Sequence, residues 1–321
     1  MAYLEVRDLS VGIGSLQPLD QISFDLDKGQ ILGLVGESGS GKSLTAMGLM
    51  GLLPLIGGRV MAGSIRLDGT ELCDLAEPAY RALRGRRMAL ISQNPMTSLD
   101  PMVRVGAQVD QVSQMHLGLS SAAARTRSID LLTQLRIADA ATVHQQYPHQ
   151  MSGGMKQRVV IAMALAGDPD LIVADEPTTA LDVTVQAQIV HILATLVRER
   201  GLALVLITHD MGVVAQVCDR VAVLYAGRVA EARGVQDLFA NPAHPYTRAL
   251  IDCIPRAGMA ARSLTGIPGT VPSVARYPEG CRYHPRCPRT QADCAAVVPV
   301  PVALARGAVV CHHPVGEGAN G

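Results

Sequence analysis

A glycine-rich segment near the amino end of the chain combines the residue types that bind a triphosphate. Its residues are Gly36, Glu37, Ser38, Gly39, Ser40, Gly41, Lys42 and Ser43. Glycines let the backbone curl until successive N–H groups point inward, and the following helix N-terminus adds partial positive charge. Lys42 would reach the β- and γ-phosphates, and Ser43 would offer its hydroxyl to Mg²⁺. The pattern predicts a phosphate-binding loop in preference to a plain glycine turn.

A pair of carboxylates, Asp175 and Glu176, follows the apolar run Leu171–Ala174. In open α/β folds, ligands bind at the carboxyl ends of the strands. Asp175 could hold Mg²⁺ through water, and Glu176 could accept a proton from the water that attacks the γ-phosphorus. Taken alone, the pair would also suit an acidic helix start before Pro177. Together with the phosphate loop, it predicts the hydrolytic part of a nucleotide site.

Residues 151–158 contain a second helix start that suits an anion. Ser152 is a natural N-cap whose hydroxyl could instead donate to a phosphate, and Gly153 and Gly154 expose backbone N–H groups at the positive end of a helix. One triphosphate does not need two such sites in one chain. The economical interpretation is a dimer, in which this helix faces the nucleotide held by the phosphate loop of a partner.

Short apolar runs precede these motifs and have the character of buried parallel strands. The runs are Ile31–Val35, Met88–Ile91, Leu171–Ala174 and Leu202–Ile207. Longer helical patterns lie between them, so we predict an α/β fold with a P-loop NTPase core. The predicted nucleotide-binding domain covers residues 1–254 and contains a helical subdomain at about 95–155. A cysteine- and proline-rich C-terminal extension covers residues 255–321.

The composition argues against several classes of protein. The 321 residues carry 28 basic and 28 acidic side chains, so no net charge attracts nucleic acid or anionic lipid. The chain has two Phe, seven Tyr and no Trp, so few aromatic side chains could stack on nucleic-acid bases. No apolar run reaches the ~20 residues of a membrane-spanning helix, and the first residues alternate like a strand, unlike a signal peptide. We therefore expect a cytoplasmic protein that does not bind nucleic acid.

Over residues 1 to about 240, the ordered motifs resemble those of the nucleotide-binding subunits of ABC transporters. Residues 152–154 are similar to the signature of that family, with Met155 where Gln is commonest. Gln93 looks like the glutamine of the Q-loop, which senses Mg²⁺ and couples the ATPase to the membrane subunits. Residues 179–182 resemble the D-loop, and His209 resembles the switch histidine on the γ-phosphate.

The resemblance implies an ATPase that uses Mg²⁺, with Glu176, His209 and Gln93 as catalytic residues. The implied nucleotide-binding residues are Gly36, Ser38, Gly39, Ser40, Gly41, Lys42, Ser43, Leu44, Thr45, Asp175, Ser152, Gly153, Gly154 and Asp182, and the implied Mg²⁺ ligands are Ser43 and Gln93. The sequence departs from the family pattern at two positions. Leu44 replaces a second hydroxyl, although Thr45 is adjacent, and Ile13 stands near the usual place of an aromatic residue that stacks on adenine.

Outside the catalytic motifs, the sequence most resembles the ATPases of oligopeptide and dipeptide importers, including nickel-importing relatives. The resemblance rests on residues 36–41, 94–101, 241–247 and 280–288. It implies a peripheral subunit on the cytoplasmic face of the membrane that powers peptide uptake. The implied partners are a similar ATPase in a heterodimer, two transmembrane permeases and, through them, an extracytoplasmic substrate-binding protein. The alternatives are import of nickel or another small solute, and a soluble ABC-type ATPase not coupled to transport.

Four of the seven cysteines crowd the extension: Cys281, Cys287, Cys294 and Cys311. Prolines forbid long helices in this core-poor segment, and a metal centre can hold it together because its binding energy is also folding energy. Thiolate tetrads suit iron–sulfur clusters or Zn²⁺, and the lack of paired Cys-x₂-Cys spacing favours iron–sulfur over zinc. Free or disulfide-linked cysteines are the third alternative. Since some members of the resembled subfamily hold a [4Fe–4S] cluster here, we predict such a cluster, with the neighbouring histidines as loop residues.

Overall fold

The computed structural model describes residues 2–178, 182–254 and 266–315, and the chain forms two compact units. Over the described residues, the first unit comprises Met1–Leu26, Leu32–Cys73 and Thr208–Gly321, and the second comprises Asp27–Ile31 and Asp74–Ile207. The phosphate loop belongs to the first unit. The paired carboxylates and the signature-like helix start belong to the second.

The secondary structure alternates strands and helices along most of the described residues. The strands are β1 (Leu4–Ile13), β2 (Leu16–Leu26), β3 (Ile31–Val35), β4 (Gly58–Leu67), β5 (Thr70–Glu71), β6 (Met88–Ile91), β7 (Leu171–Asp175), β8 (Ala203–Thr208), β9 (Arg220–Tyr225), β10 (Arg228–Gly234), β11 (Pro301–Leu304) and β12 (Gly307–Val310). The α-helices are α1 (Lys42–Leu49), α2 (Glu77–Leu83), α3 (Pro95–Ser98), α4 (Val105–Leu117), α5 (Ser121–Gln134), α6 (Ala140–Val143), α7 (Gly153–Ala166), α8 (Val183–Arg200), α9 (Met211–Val217), α10 (Val235–Ala240), α11 (Pro245–Asp252) and α12 (Ala292–Ala296). Four 3₁₀ segments occur in the same residues, at Leu53–Ile56, Pro148–Gln150, Val274–Arg276 and His284–Arg286.

The first unit contains strands of two sheets. One is antiparallel, with the strand order β2-β1-β4-β5. In the other, β3 runs parallel to β9, and β10, β12 and β11 continue the sheet in antiparallel order. All five residues of β3 are buried, as expected for a parallel strand covered on both faces. This buried strand gives the phosphate loop a rigid starting point.

The second unit is built on the parallel strands β6, β7 and β8, in which β7 lies between the other two. Every residue of β8 is buried. Between β6 and β7 the chain forms α3 to α7 and no strand, and α4 and α5 pack on each other and on α7. The Ser113 hydroxyl joins α4 to the end of α7 by donating to the carbonyl of Ala166 at 3.1 Å. The segment predicted to be helical therefore positions α7, whose first residues are the signature-like motif.

The C-terminal extension adds two strands to the first unit, which the sequence analysis did not predict. β11 and β12 form a hairpin, and β12 pairs with β10 through Val309 and Glu231. Val309 is fully buried, and it forms a small apolar cluster with Ala243 and Cys311. Sheet hydrogen bonds and this cluster thus hold the end of the extension. The predicted domain boundary at residue 255 lies outside the described residues.

The α/β fold class predicted from the sequence is confirmed. The four predicted buried runs correspond to β3, β6, β7 and β8, with the last displaced by one residue. In the part of the chain that the structure describes, no helix is both long enough and apolar enough to span a bilayer.

Candidate nucleotide site

The phosphate loop leaves β3 through a close approach of two backbones. Gly36 has a φ of 151°, and a Cβ atom at this position would lie 2.2 Å from the carbonyl oxygen of Leu224. Only glycine tolerates both the conformation and the contact. Gly39 and Gly41 also have positive φ values, 80° and 104°. These glycines therefore supply the turns that close the loop into α1.

Lys42 turns its ammonium group into the curve of the loop. Its Nζ atom donates to the carbonyl oxygens of Gly36 and Glu37 at 2.7 and 3.0 Å, and the residue is only 5% exposed. Gly41 is the N-cap of α1, so no side chain caps this helix. An uncapped helix start beside a buried ammonium suits a bound anion. Ser43 is exposed in the first turn of the same helix.

The other predicted residues of the loop differ in exposure. Ser38 is exposed, Ser40 is buried and Leu44 is partly buried. Thr45 is fully buried, and its hydroxyl donates to the carbonyl of Gly41 at 3.0 Å. That hydroxyl is therefore already used inside α1.

The structure also reveals an ion pair at the loop that the sequence analysis missed. Arg286 of the extension donates from its two terminal nitrogens to the two carboxylate oxygens of Glu37, at 2.7 and 3.0 Å. Burial alone would lower the pKa of Arg286, but the hydrogen bonds and charge of Glu37 raise it overall. The sequence feature that could have indicated this ion pair is Glu37 itself, because an acidic residue in an anion-binding loop needs a nearby cation to offset its charge.

The second unit brings together two of the three predicted catalytic residues. Nε2 of Gln93 donates to Oε2 of Glu176 at 3.2 Å. Glu176 follows Asp175, the last residue of β7, and both are partly buried. Glu176 has a φ of 44°, which is uncommon outside glycine, and its N–H donates to the carbonyl of Ile207 at 2.9 Å. A backbone held in such a conformation is often found at functional positions.

The signature-like motif forms the beginning of α7 and lines an open cleft of about 560 Å³. Ser152 is the N-cap, and its hydroxyl accepts from the N–H of Met155 at 3.3 Å. Gly154 lies against α8, where a Cβ atom would come within 2.9 Å of the Val185 side chain.

Two arginines, Arg136 and Arg158, line the same cleft. Burial lowers the pKa of Arg158, and the positive charge of Arg136 lowers it further. Two neighbouring cations and an exposed helix start together favour an anionic ligand. Asp182 also lines the cleft and caps α8 by accepting from the N–H of Val185 at 3.0 Å.

The two remaining predicted elements are His209 and the segment that resembles the D-loop. His209 is exposed immediately after β8, and the next residue, Asp210, caps α9 by accepting from the N–H groups of Gly212 and Val213. Residues 179–181 of the predicted D-loop lie outside the described residues. The predicted roles of these side chains and of the loop residues therefore stay predictions.

The four cysteines of the extension line one small cavity, and none of them forms a disulfide. Burial raises the pKa of the Cys281 thiol, and the proximity of Cys294 and Cys287 raises it further. Burial, with smaller effects from the other cysteines, raises the pKa of Cys311 to about 11. Buried thiols that disfavour each other's charge would be stabilised as thiolates by a shared cation.

Three histidines near this cavity bond to other groups. His284 and His312 donate to the carbonyls of Cys281 and Val297 at 2.9 and 2.8 Å. His313 lies 3.0 Å from the carboxylate of Asp293, and a hydrogen bond from His313 lowers the pKa of that carboxyl group. The potential ligand atoms of Asp293, Cys294 and His313 also lie within 4.8 Å of one another, and Cys294 and His313 line the cavity.

Two regions of the chain match known protein families. Residues 19–179 match the family described as "ABC transporter", and residues 230–294 match "Oligopeptide/dipeptide transporter, C-terminal region". The chain is 45% identical over 300 residues to the dipeptide transport ATP-binding protein DppD of Bacillus subtilis, covering 92% of this chain and 90% of that protein.

The chain belongs to the ABC transporter family of ATP-binding proteins. It is also 44% identical over 318 residues to the oligopeptide transport ATP-binding protein OppD of Salmonella typhimurium, covering 98% of this chain and 94% of that protein. Its fold is similar to a dimeric structure of the ATP-binding cassette MJ0796 bound to ADP and Pi, with a TM-score of 0.64, 25% identity, and coverage of 72% of this chain and 98% of that one. As an ABC ATPase, the protein binds ATP with Mg²⁺ and hydrolyses it.

Proposed function

We propose that this ABC ATPase powers the uptake of dipeptides or oligopeptides across the cytoplasmic membrane. The observation that carries the proposal is the match of residues 230–294 to the C-terminal region of oligopeptide and dipeptide transporters. The cassette alone occurs in many kinds of transporter, whereas this region distinguishes one group. The similarity to peptide transport ATPases over more than nine-tenths of the chain supports the same conclusion.

In this proposal the phosphate loop holds the triphosphate of ATP. Lys42, buried inside the loop, neutralises the β- and γ-phosphates, and the uncapped start of α1 adds backbone donors. Mg²⁺ would be held by Ser43 and Gln93, and by Asp175 through a water molecule. Their hydroxyl, amide and carboxylate oxygens are the hard ligands that this ion prefers. When bound, the ion would neutralise negative charge on the phosphates.

Hydrolysis requires a base for the attacking water. Glu176 takes this role, because its carboxylate is partly buried and is oriented by the hydrogen bond from Gln93. His209 contacts the γ-phosphate in the proposal, from its exposed position after β8. Both residues act where bonds and charge change during hydrolysis, Glu176 at the attacking water and His209 at the γ-phosphate, so their loss should affect turnover more than affinity.

The signature-like cleft binds the nucleotide of a partner subunit. Its opening, the Ser152 cap and the arginine pair suit the phosphates of an ATP held on another chain. ATP then closes a dimer, which we propose is a heterodimer with a similar ATPase, and hydrolysis opens it. The helical segment and Gln93 pass this motion to two membrane permeases, which receive peptide from an extracytoplasmic binding protein. The subunit is thus peripheral, on the cytoplasmic face of the membrane.

The cysteine cavity fits a metal centre. Four free thiols line it, and burial raises the pKa of Cys281, Cys287 and Cys311, so a cation bound in the cavity would favour the thiolate form of these three. Cys281, Cys287, Cys294 and Cys311 would hold a [4Fe–4S] cluster, in keeping with the absence of paired Cys-x₂-Cys spacing. Such a centre would supply folding energy to a proline-rich segment, in addition to the small apolar cluster that Val309 and Cys311 form with Ala243.

Purification of the tagged full-length chain from membranes of the cells that make it tests the transport proposal. Two hydrophobic permeases and a second ABC ATPase should copurify, and the assembly in proteoliposomes should take up peptide only with ATP and a binding protein. Copurification with ribosomes or DNA-associated proteins, without permeases, would contradict the proposal. Uptake of nickel or another solute in place of peptide would assign a different cargo.

Metal analysis after anaerobic purification tests the cluster. We expect about four iron atoms and four acid-labile sulfides per chain. Cys287→Ser should lose both, whereas Cys73→Ser, which changes a cysteine outside the cavity, should retain them. Stoichiometric zinc in the parent protein would refute the iron–sulfur assignment.

A further inference from the structure

Glu37 of the phosphate loop is held at its side chain by the C-terminal extension. The Arg286 guanidinium forms two parallel hydrogen bonds with the Glu37 carboxylate, and the Arg286 side chain is only 6% exposed. A bidentate arginine–carboxylate pair fixes orientation as well as charge. The contact joins residues 249 positions apart in the sequence.

Arg286 is itself fixed by the groups around it. Its Nε atom donates to the carbonyl of Pro268 at 2.8 Å, and its terminal nitrogens reach the carbonyls of Ile267 and Gly269 and the hydroxyl of Tyr225 at 3.3 to 3.4 Å. Every nitrogen of the guanidinium is therefore bonded. A side chain bonded in this way has little freedom to follow a moving carboxylate, so Glu37 must conform to Arg286.

The backbone of Glu37 is held as well. Its N–H donates to the hydroxyl of Tyr246 at 2.9 Å, and Tyr246 is fully buried with its ring edge-on to Tyr225 at 4.7 Å between centroids. The carbonyl of Glu37 accepts from the Lys42 ammonium at 3.0 Å. A continuous set of contacts thus runs from Arg286 through Glu37 to the lysine of the loop.

The charge of Glu37 makes this contact matter for nucleotide binding. A carboxylate in a loop that binds a triphosphate repels the ligand, and the repulsion is strong in a partly buried site. The Glu37 side chain is 29% exposed, so water screens it only in part. The charge of Arg286 cancels that of Glu37 and keeps the carboxylate turned towards the extension.

We propose that Arg286 is a positioning residue for ATP binding, which sets the geometry of the phosphate loop through Glu37 and neutralises its carboxylate. The extension therefore contributes directly to nucleotide affinity, independently of what its cysteines hold. The proposal rests on the phosphate loop being the ATP site. Lys42→Ala tests that assumption separately, because it should abolish binding whether or not Arg286 has this role.

The experiment measures the Kd for Mg-ADP by calorimetry on the full-length chain. Arg286→Ala should raise the Kd about tenfold, since it leaves an uncompensated carboxylate beside the phosphates. In the ATPase assay of the assembled transporter, KM for ATP should rise by a similar factor with kcat within about twofold, the pattern of lost ground-state binding. The matched control is Arg306→Ala, which removes an exposed arginine of the same extension and should leave the Kd unchanged.

The double variant Arg286→Ala with Glu37→Gln distinguishes positioning from a general loss of structure. Removing the carboxylate as well should return the Kd to within about threefold of the parent, because the repulsion is gone. Arg286→Lys keeps the positive charge without the two parallel hydrogen bonds, so its Kd should lie between those of the parent and Arg286→Ala. If the alanine variant does not fold, the lysine variant replaces it in the experiment. An Arg286→Ala Kd equal to that of Arg306→Ala, or a double variant as defective as Arg286→Ala, would overturn the proposal.

Discussion

The phosphate loop and the signature-like helix start are both glycine-rich beginnings of helices, yet they are built differently. The phosphate loop is closed: Lys42 is bonded inside it, and Arg286 and Tyr246 hold Glu37 from outside. The helix start at Ser152 is open, with one 3.3 Å capping bond and a cleft of about 560 Å³ in front of it. A closed loop suits a ligand bound by its own chain, and an open helix start suits a ligand presented by another.

The two units should therefore have different roles in the ATPase cycle. The first unit, which contains the phosphate loop, should bind the triphosphate. The second unit should determine hydrolysis and closure of the dimer. Glu176→Gln and Ser152→Arg change neither the phosphate loop nor a proposed Mg²⁺ ligand, so both variants should leave the nucleotide affinity of the isolated chain intact.

The largest effect is expected for Glu176→Gln. An amide cannot accept the proton of the attacking water, so hydrolysis should slow by on the order of 10² to 10⁴. The amide oxygen can still accept from Gln93, so the local geometry and the Kd for Mg-ATP should be preserved. Glu199→Gln, at an exposed position of α8 in the same unit, should hydrolyse ATP like the parent. Undiminished turnover by Glu176→Gln would remove this residue from the mechanism.

Ser152→Arg should break dimer closure without weakening nucleotide binding by the single chain. The larger side chain would fill the open cleft, and ATPase activity should fall by about 10² because the closed state is not reached. Light scattering with Mg-ATP and the copurified partner ATPase, in a Glu176→Gln background, measures closure. Ser120→Arg is the matched control, since Ser120 also caps a helix of the second unit through a 3.3 Å bond but lies outside the cleft. Closure that persists in Ser152→Arg would mean that this helix does not face a partner's nucleotide.

The smallest effect is expected for Gly154→Ala. The added methyl group would meet the Val185 side chain at 2.9 Å, so that side chain or the helix that carries it must shift, at a cost of about 1 kcal/mol in the free energy of unfolding. Gly48 lies within α1, and in Gly48→Ala the new Cβ would lie 3.8 Å from Leu9, which is an ordinary van der Waals contact. This substitution should be neutral or slightly stabilising. Denaturant unfolding of both variants tests the difference. Equal stabilities would show that α8 yields to the methyl group without cost.

Much of the nucleotide site could be predicted because its chemistry is local in sequence. Lys42 and the glycines of its loop lie within one short segment, residues 36–42. The geometry with which such a segment binds an anion depends on its backbone freedom and on the helix that follows. The buried runs that became β3, β6, β7 and β8 were recognisable because parallel strands covered on both faces have no polar alternation. The pairing of Gln93 with Glu176 required the parallel sheet, since 83 residues separate them.

The extension was predicted least well. In residues 266–315 the helices are short, as the prolines predict. The β11–β12 hairpin and its pairing with β10 came only from the structure, because short strands with exposed faces leave a weak pattern.

The sequence by itself determined that this protein handles a triphosphate, because a lysine, glycines and carboxylates at these spacings have few other uses. Only the tertiary structure decided what supports that chemistry. It placed Arg286 against Glu37 and paired the β11–β12 hairpin with β10. Such contacts join residues far apart along the chain, and their free energy depends on burial and geometry that no local pattern encodes.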